Sequence, residues 1–170
     1  MYATTAEFLE DWGRESANSL KVMRALTDAS LPQRSDPESN TLGKIAWHMV
    51  IMVGASGSAA GLEVTAPQRG TEPPTSSARI ADAFEVAART MGEQASKKLA
   101  DAQLASEISL WGRTTTIAAG FQGLVRHLVH HRGQMTVLMR EAGLIVPGVY
   151  GPSREETAAI LARQKGQRGD

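Results

Sequence analysis

Three of the chain's four histidines lie close together, at His127, His130 and His131. They belong to a run of apolar residues at helical spacing, from about 117 to 142. In a helix, His127 and His131 are one turn apart, so their side chains share a face and lie ~6 Å apart along the axis. Two imidazoles in this arrangement can bind one metal ion. His130 is rotated by roughly 60° from His127 and is the weaker candidate.

The fourth histidine, His48, lies in a separate apolar segment far upstream. A single histidine on an apolar helix face is more often a hydrogen-bonded core residue than a metal ligand. The downstream pair changes this balance, because burying two imidazoles costs desolvation energy that one cation can offset for both. We therefore expect His48 to complete the site from a neighbouring helix. Imidazole suits zinc, copper, iron and nickel, and three histidines with one position left open is typical of catalytic sites.

Three residues that follow His131 have predicted roles of their own. Gln134 follows His131 by three residues on the same face, where it could orient a ligand histidine or bind the group that occupies the open position, although a buried amide bonded to the backbone fits equally well. Arg132 points away from that face and is predicted to form a surface or interface ion pair. Gly133 lowers helix propensity by ~1 kcal/mol, which indicates a close crossing of another helix.

The first three helices follow from capping signals and apolar spacing. Thr4 and Glu7 form a capping box that opens the first helix, which should end near residues 31–32. The second helix should begin after residue 40 or 41 and end near Gly61. Its small residues between 54 and 60 would let another helix approach closely. The third should begin near residue 76 or 77 and is amphipathic.

The remaining segments are connections and the histidine helix. The sequence predicts an irregular loop over 64–75, which is rich in proline and glycine. For 101–115 it predicts a connection with at most a short helical turn, and no strand alternation is evident. The histidine helix should stop at Gly143. Trp111 and Tyr150 flank this helix and could line a pocket, with Trp111 expected to pack in the core and Tyr150 to pin the following linker.

A second capping box, Ser153 with Glu156, predicts a short fifth helix that ends near Arg163. The fold class is therefore all-α, a four-helix bundle with a short C-terminal helical extension. We assign residues 1–164 to one domain and residues 165–170 to a flexible tail.

Composition excludes several classes of function. The 18 lysines and arginines balance the 18 aspartates and glutamates, so no basic surface for nucleic acid is expected. The chain has no cysteine, so a metal must be bound by nitrogen and oxygen. No apolar run reaches the ~20 residues of a membrane span, and the N-terminus lacks the pattern of a signal peptide. We expect a cytoplasmic protein that binds neither nucleic acid nor a membrane.

Two of these segments resemble signatures of the DinB-like (DinB/YfiT) family. They are LGKIAWH, which ends at His48, and HLVHHRGQM, which begins at His127. The segments VLMREAGL and VPGVYGPS, which follow in the chain, are also similar to those of many members. The resemblance implies a four-helix bundle, often a homodimer, with a divalent metal, zinc or nickel, bound by His48, His127 and His131. It also implies that His130 is not a ligand.

The resemblance implies more about the site than about the reaction. The wider superfamily includes transferases and isomerases that use low-molecular-weight thiols such as mycothiol or bacillithiol, in which the metal would bind and ionise the thiol sulfur. Our first hypothesis is a metal-dependent enzyme acting on a small molecule, either a thiol S-transferase or a hydrolase. The alternatives are a non-enzymatic metal-binding stress-response protein and a helical dimer with histidines packed in its core and no metal.

Overall fold

The computed structural model describes residues 1–167 of the chain. Four long helices form the bundle: α1 (Thr5–Arg24), α2 (Leu42–Ala59), α3 (Ser77–Lys98) and α4 (Ile117–Glu141). A short hairpin, β1 (Glu107–Leu110) and β2 (Arg113–Thr116), precedes α4, and α5 (Arg154–Gln167) follows it. Helices α1 and α2 each pack against both α3 and α4, around a core of buried aliphatic, methionine and aromatic side chains. The all-α bundle with a C-terminal helical extension is therefore confirmed.

Polar caps open the helices where the sequence predicted them. The Thr4 hydroxyl accepts a hydrogen bond from the Glu7 amide, and the Glu7 carboxylate accepts one from the Thr4 amide, which completes the first capping box. The prediction for the end of α1 was wrong, because the helix stops at Arg24. A 3₁₀ turn follows, in which the Ser30 hydroxyl bonds to both the amide and the carbonyl of Thr27. Such local side-chain bonds compete with continuation of the helix.

The small residues of α2 make room for the loop that follows it and, at Gly57, also for a helix as predicted, because a Cβ atom there would lie 3.1 Å from Sδ of Met91 in α3. A Cβ atom on Gly54 would lie 2.5 Å from the Cβ of Ala66, and one on Gly57 would lie 2.3 Å from Cγ2 of Val64. The loop therefore returns along α2. At Gly133 the prediction of a helix crossing was wrong, since no atom lies within 4 Å of the place where a Cβ would stand.

The prediction of an irregular connection over residues 101–115 missed the hairpin. Its strands pair antiparallel, with Glu107 opposite Thr116 and Leu110 opposite Arg113. The two residues of the turn, Trp111 and Gly112, have φ angles of 53° and 76°. Positive φ at both turn positions matches the twist of two-residue hairpins.

The hairpin packs on the first turns of α4 at Gly120. A Cβ atom on this glycine would lie 3.2 Å from side-chain atoms of both Ile108 and Leu110. The close approach places the tip of the hairpin beside the part of α4 that carries the first histidine.

Helix α5 begins with the predicted capping box, in which the Ser153 hydroxyl accepts from the Glu156 amide and the Glu156 carboxylate accepts from the Ser153 amide. The helix continues past Arg163 to Gln167, so residues 165–167 of the expected tail are helical, and residues 168–170 lie outside the described part of the chain. No residue of α5 is buried. Within residues 1–167, no helix has the length and apolar character needed to cross a membrane.

Candidate metal centre

The packing of α2 against α4 brings three histidines together. His48 comes from the middle of α2, whereas His127 and His131 come from successive turns of α4. The Nε2 atom of His127 lies 2.8 Å from Nε2 of His48 and 3.1 Å from Nε2 of His131. One nitrogen from each ring lies within 4.8 Å of the other two. The three residues selected from the sequence therefore share one point in the structure.

The side chain of Gln134 determines which nitrogen of His131 faces this point. Its Oε1 atom lies 2.7 Å from Nδ1 of His131. An amide oxygen only accepts, so Nδ1 must carry the proton and donate it. In a neutral ring this leaves a lone pair on Nε2, directed toward the other two histidines. The alternative in which Gln134 is a buried amide bonded to the backbone was wrong, because Gln134 is exposed and bonds to the ring.

All three imidazoles favour the neutral form. Burial, followed by the proximity of His131 and His48, lowers the pKa of His127 to about 4. Burial also lowers the pKa of His48, and it lowers that of His131 despite the opposing effect of the Gln134 hydrogen bond. Neutral imidazole is the form that binds metal, so near pH 7 the cluster requires no proton release before binding.

The cluster fits a small divalent transition metal. Nitrogen ligands about 2.0–2.1 Å from a tetrahedral zinc ion lie about 3.3 Å from one another. The observed separations of 2.8 and 3.1 Å are slightly shorter. Three neutral rings offer one N–H each, and His131 uses its own on Gln134, so hydrogen bonds within the cluster cannot occupy every lone pair. A cation would occupy all of them.

His130 does not join the cluster. Its side chain is exposed, with its ring centroid 5.1 Å from that of His131. Among residues 1–167, the only group of three or more potential ligands consists of His48, His127 and His131. The rotation of His130 around the helix, read from the sequence, accounts for this.

Comparisons with known proteins agree with the fold and with the family resemblance. A family model described as the DinB family matches residues 1–168. The chain belongs to the DinB family. It is 39% identical over 158 residues to the uncharacterized protein YrdA of Bacillus subtilis (strain 168), a match that covers 93% of this chain and 95% of YrdA.

Two solved structures of DinB-like proteins resemble this DinB-family chain. One, from Bacillus cereus ATCC 10987, superimposes with a TM-score of 0.84 at 38% identity, and the match covers 88% of this chain and all of the other. The second, YjoA from Bacillus subtilis, has a TM-score of 0.64 at 16% identity, with coverage of 87% and 99%. At this lower identity the likeness shows the fold alone.

Trp111 lies beside the histidine cluster of this DinB-family fold rather than in the core. Its side chain is 45% exposed, and its ring centroid lies 5.6 Å from that of His127. The prediction that Trp111 packs in the core was wrong, because the hairpin carries it to the rim, where it contacts α4 at Gly123. The exposure of an aromatic residue could not be predicted while the hairpin whose turn carries it was not recognised.

A cavity of ≈ 490 Å³ opens onto the histidines. It is lined by His48, His127, Trp111, Ile51, Met52, Arg69 and Gly70. A second cavity, of ≈ 360 Å³, reaches His131 and Gln134 from the other end of the cluster. Sequence reasoning missed Arg69, because it lies in the long irregular loop, where no periodicity indicates which side chains face the bundle.

Arg132 does form an ion pair, but the prediction that the pair lies at a surface or interface was wrong, because it is buried. Arg132 is 2% exposed, and its guanidinium donates to the Glu15 carboxylate at 2.7 Å and to the Ser19 hydroxyl at 3.1 Å. Tyr150 also contacts Arg132 and donates to Glu15 at 2.6 Å. Burial alone would raise the pKa of Glu15, but the bonds from Tyr150 and Arg132 outweigh it and hold that pKa below its usual value. Tyr150 thus pins the linker, as predicted.

Proposed function

We propose that this DinB-family protein is a metal-dependent enzyme that joins a low-molecular-weight thiol to a small electrophile. The observation that carries the proposal is the convergence of three neutral imidazoles, two of which open onto a cavity large enough for a small molecule. A site that served only to hold the fold together would be closed by a fourth protein ligand. Within residues 1–167 the cluster has three ligands.

The residues around the cluster have distinct parts in this proposal. His48, His127 and His131 would hold a divalent ion, which would supply a Lewis acid able to lower the pKa of a thiol or of water. Gln134 keeps the proton of His131 on Nδ1, so that Nε2 is free to bind. Ile51 and Met52 provide an apolar wall that limits access of water to the reacting sulfur. The sulfur must come from outside, because the chain has no cysteine.

The proposal also places the protein in the cytoplasm, because low-molecular-weight thiols are kept reduced there. In the reaction with an alkyl chloride, the sulfur–carbon bond forms as the carbon–chlorine bond breaks. Chloride leaves and the thiol proton passes to solvent. The balance requires no oxidant or reductant.

The test uses purified protein without a histidine tag, loaded with zinc or with nickel. Bacillithiol and mycothiol are each supplied with monochlorobimane, and the fluorescent conjugate is measured. We expect turnover by the wild type and by the His130→Ala variant, but not by His131→Ala. Loss of activity in both variants, or the same rate without protein, would contradict the proposal. Elemental analysis of the same preparations identifies the preferred metal.

The competing hypothesis is a protein that binds metal without performing a reaction. Cobalt substitution distinguishes the two, because the visible spectrum of cobalt depends on its ligands. We expect the spectrum to change when thiol is added. An unchanged spectrum in protein that contains one cobalt ion per chain would support the non-enzymatic hypothesis. Equal metal content in wild type and His127→Ala would leave only a histidine-packed bundle without a metal site.

A further inference from the structure

The ≈ 490 Å³ cavity combines three kinds of wall beside the histidine cluster. Ile51 and Met52 are buried and make an apolar side. Trp111 contributes an aromatic ring that is nearly half exposed, and Arg69 contributes a guanidinium. A pocket with an apolar body and one placed charge orients a ligand by that charge.

Arg69 is held at the cavity by an anchored turn. The Thr71 amide donates to the Gln68 carbonyl at 3.2 Å, which closes a four-residue turn with Arg69 and Gly70 at its centre. Gly70 has a φ of 87°, which a residue with a side chain adopts only with strain. The indole of Trp47 donates to the Thr71 carbonyl at 2.8 Å. The turn is thus tied to α2 at the residue before His48.

The charge of Arg69 has no partner within the described chain. Among residues 1–167, no carboxylate forms an ion pair with its guanidinium. Arg69 and His48 line the same cavity, so a ligand bound to Arg69 would lie beside the histidine cluster. An unpaired guanidinium at a concave, partly apolar site is suited to a bidentate bond with an anion.

The number of charges limits the kind of anion. The cavity holds one arginine, and Lys44 lines only a neighbouring depression, which Glu72 also lines. A phosphate dianion would be only partly neutralised by one guanidinium, whereas a carboxylate is matched by it. The flat ring of Trp111 in the same cavity favours a planar ligand body, because stacked aromatic pairs are stabilising.

We propose that this cavity binds a small planar carboxylate, with the carboxylate on Arg69 and the planar body against Trp111. In terms of the reaction, the inference rests on the proposed function and names the electrophile as an α,β-unsaturated acid, in which the sulfur adds to one carbon of the double bond and a proton adds to the other. Arg69 is then a specificity residue, since it contacts the ligand away from the reacting atom.

The experiment measures binding of benzoate and of its neutral counterpart benzamide to metal-loaded protein by calorimetry. We expect Arg69→Gln to weaken benzoate binding about tenfold and to leave benzamide unchanged. Arg69→Lys keeps a charge without the bidentate geometry and should lie between the two. Arg79→Gln removes an exposed arginine outside the cavity and serves as the matched control. Trp111→Asn, which tolerates positive φ, should weaken both probes.

Two outcomes would overturn the inference. One is equal affinity of wild type and Arg69→Gln for benzoate at equal metal content. The other is no binding of benzoate at millimolar concentration. The proposed function is tested separately, by measuring thiol transfer and metal content in the same preparations. A protein that binds benzoate through Arg69 but transfers no thiol contradicts the reaction and leaves the carboxylate site standing.

Discussion

At the scale of single residues, Gln134 is the contact that leaves Nε2 of His131 facing the other histidines. Its Oε1 accepts the Nδ1 proton at 2.7 Å from an exposed position, so the bond is not needed to satisfy a buried amide. Partners of this kind set the tautomer and the orientation of the ring. The role of Gln134 therefore follows from the position of its oxygen beside the His131 ring rather than from burial of its amide.

We expect Gln134→Ala to lower metal affinity by about 10-fold or more, because removal of such a partner typically costs 10–100-fold. The measurement is competition with a chromophoric chelator. Gln134→Glu retains an acceptor oxygen and should keep most of the affinity. If the alanine variant bound metal as tightly as the wild type, Gln134 would have no part in the site.

The metal-free protein should lose stability on acidification. The pKa of His127 in the folded protein is about 4, below its ordinary value of 6.5, so between these values the unfolded chain binds more protons than the folded one. The free energy of unfolding then rises with pH between about 4 and 6.5, and the contribution of His127 to it is constant at higher pH. Thermal unfolding in chelator should show a melting temperature that falls from pH 6.5 to pH 4. His127→Gln should fall less steeply, and an identical slope would contradict the assignment.

At the scale of secondary-structure elements, the closeness of α2 to its following loop depends on glycine. We expect Gly54→Ala to destabilise the protein, since its Cβ would stand 2.5 Å from that of Ala66. Overpacking costs about 1–3 kcal/mol, and the better helix propensity returns about 1 kcal/mol, so the net loss should be about 1 kcal/mol. Gly133→Ala is the matched control, because it meets open space and should stabilise α4. Urea denaturation measures both.

The buried pair of Glu15 and Arg132 joins α1 to α4 one residue from a histidine of the site. Arg132→Met leaves a buried carboxylate without its partner, and we expect a loss of about 3–5 kcal/mol. The double variant Glu15→Leu with Arg132→Met should recover most of this loss, because no charge remains buried. Arg140→Met removes the more exposed pair with Glu155 and should cost at most about 1 kcal/mol. Denaturant titration of the three proteins checks the order.

At the scale of the whole molecule, the homodimer implied by the family resemblance stays a prediction. Helix α5 has no buried residue, and its Ile160 and Leu161 are 44% and 52% exposed. We expect light scattering to give the mass of two chains, and the double variant Ile160→Asp with Leu161→Asp to shift it toward one. An unchanged dimer in that variant would place the interface elsewhere, and a monomeric wild type would contradict the prediction.

The sequence alone determined the elements that depend on local patterns. Capping boxes, apolar spacing and glycine stops located the helices, and the one-turn spacing of His127 and His131 placed two imidazoles on one face. Their meeting with His48 was a correct expectation. The hairpin was missed because strands of four residues around a Trp-Gly turn carry too little alternation.

Only the tertiary structure decided which side chains the fold buries and which it presents to the cavity. Arg132 is buried and Trp111 is not, contrary to what their residue types and spacing indicated. Arg69 reaches the cavity because its loop returns along α2 and is bonded to Trp47. These outcomes depend on contacts between residues far apart in the chain, and a local sequence pattern does not indicate which distant residues will be in contact.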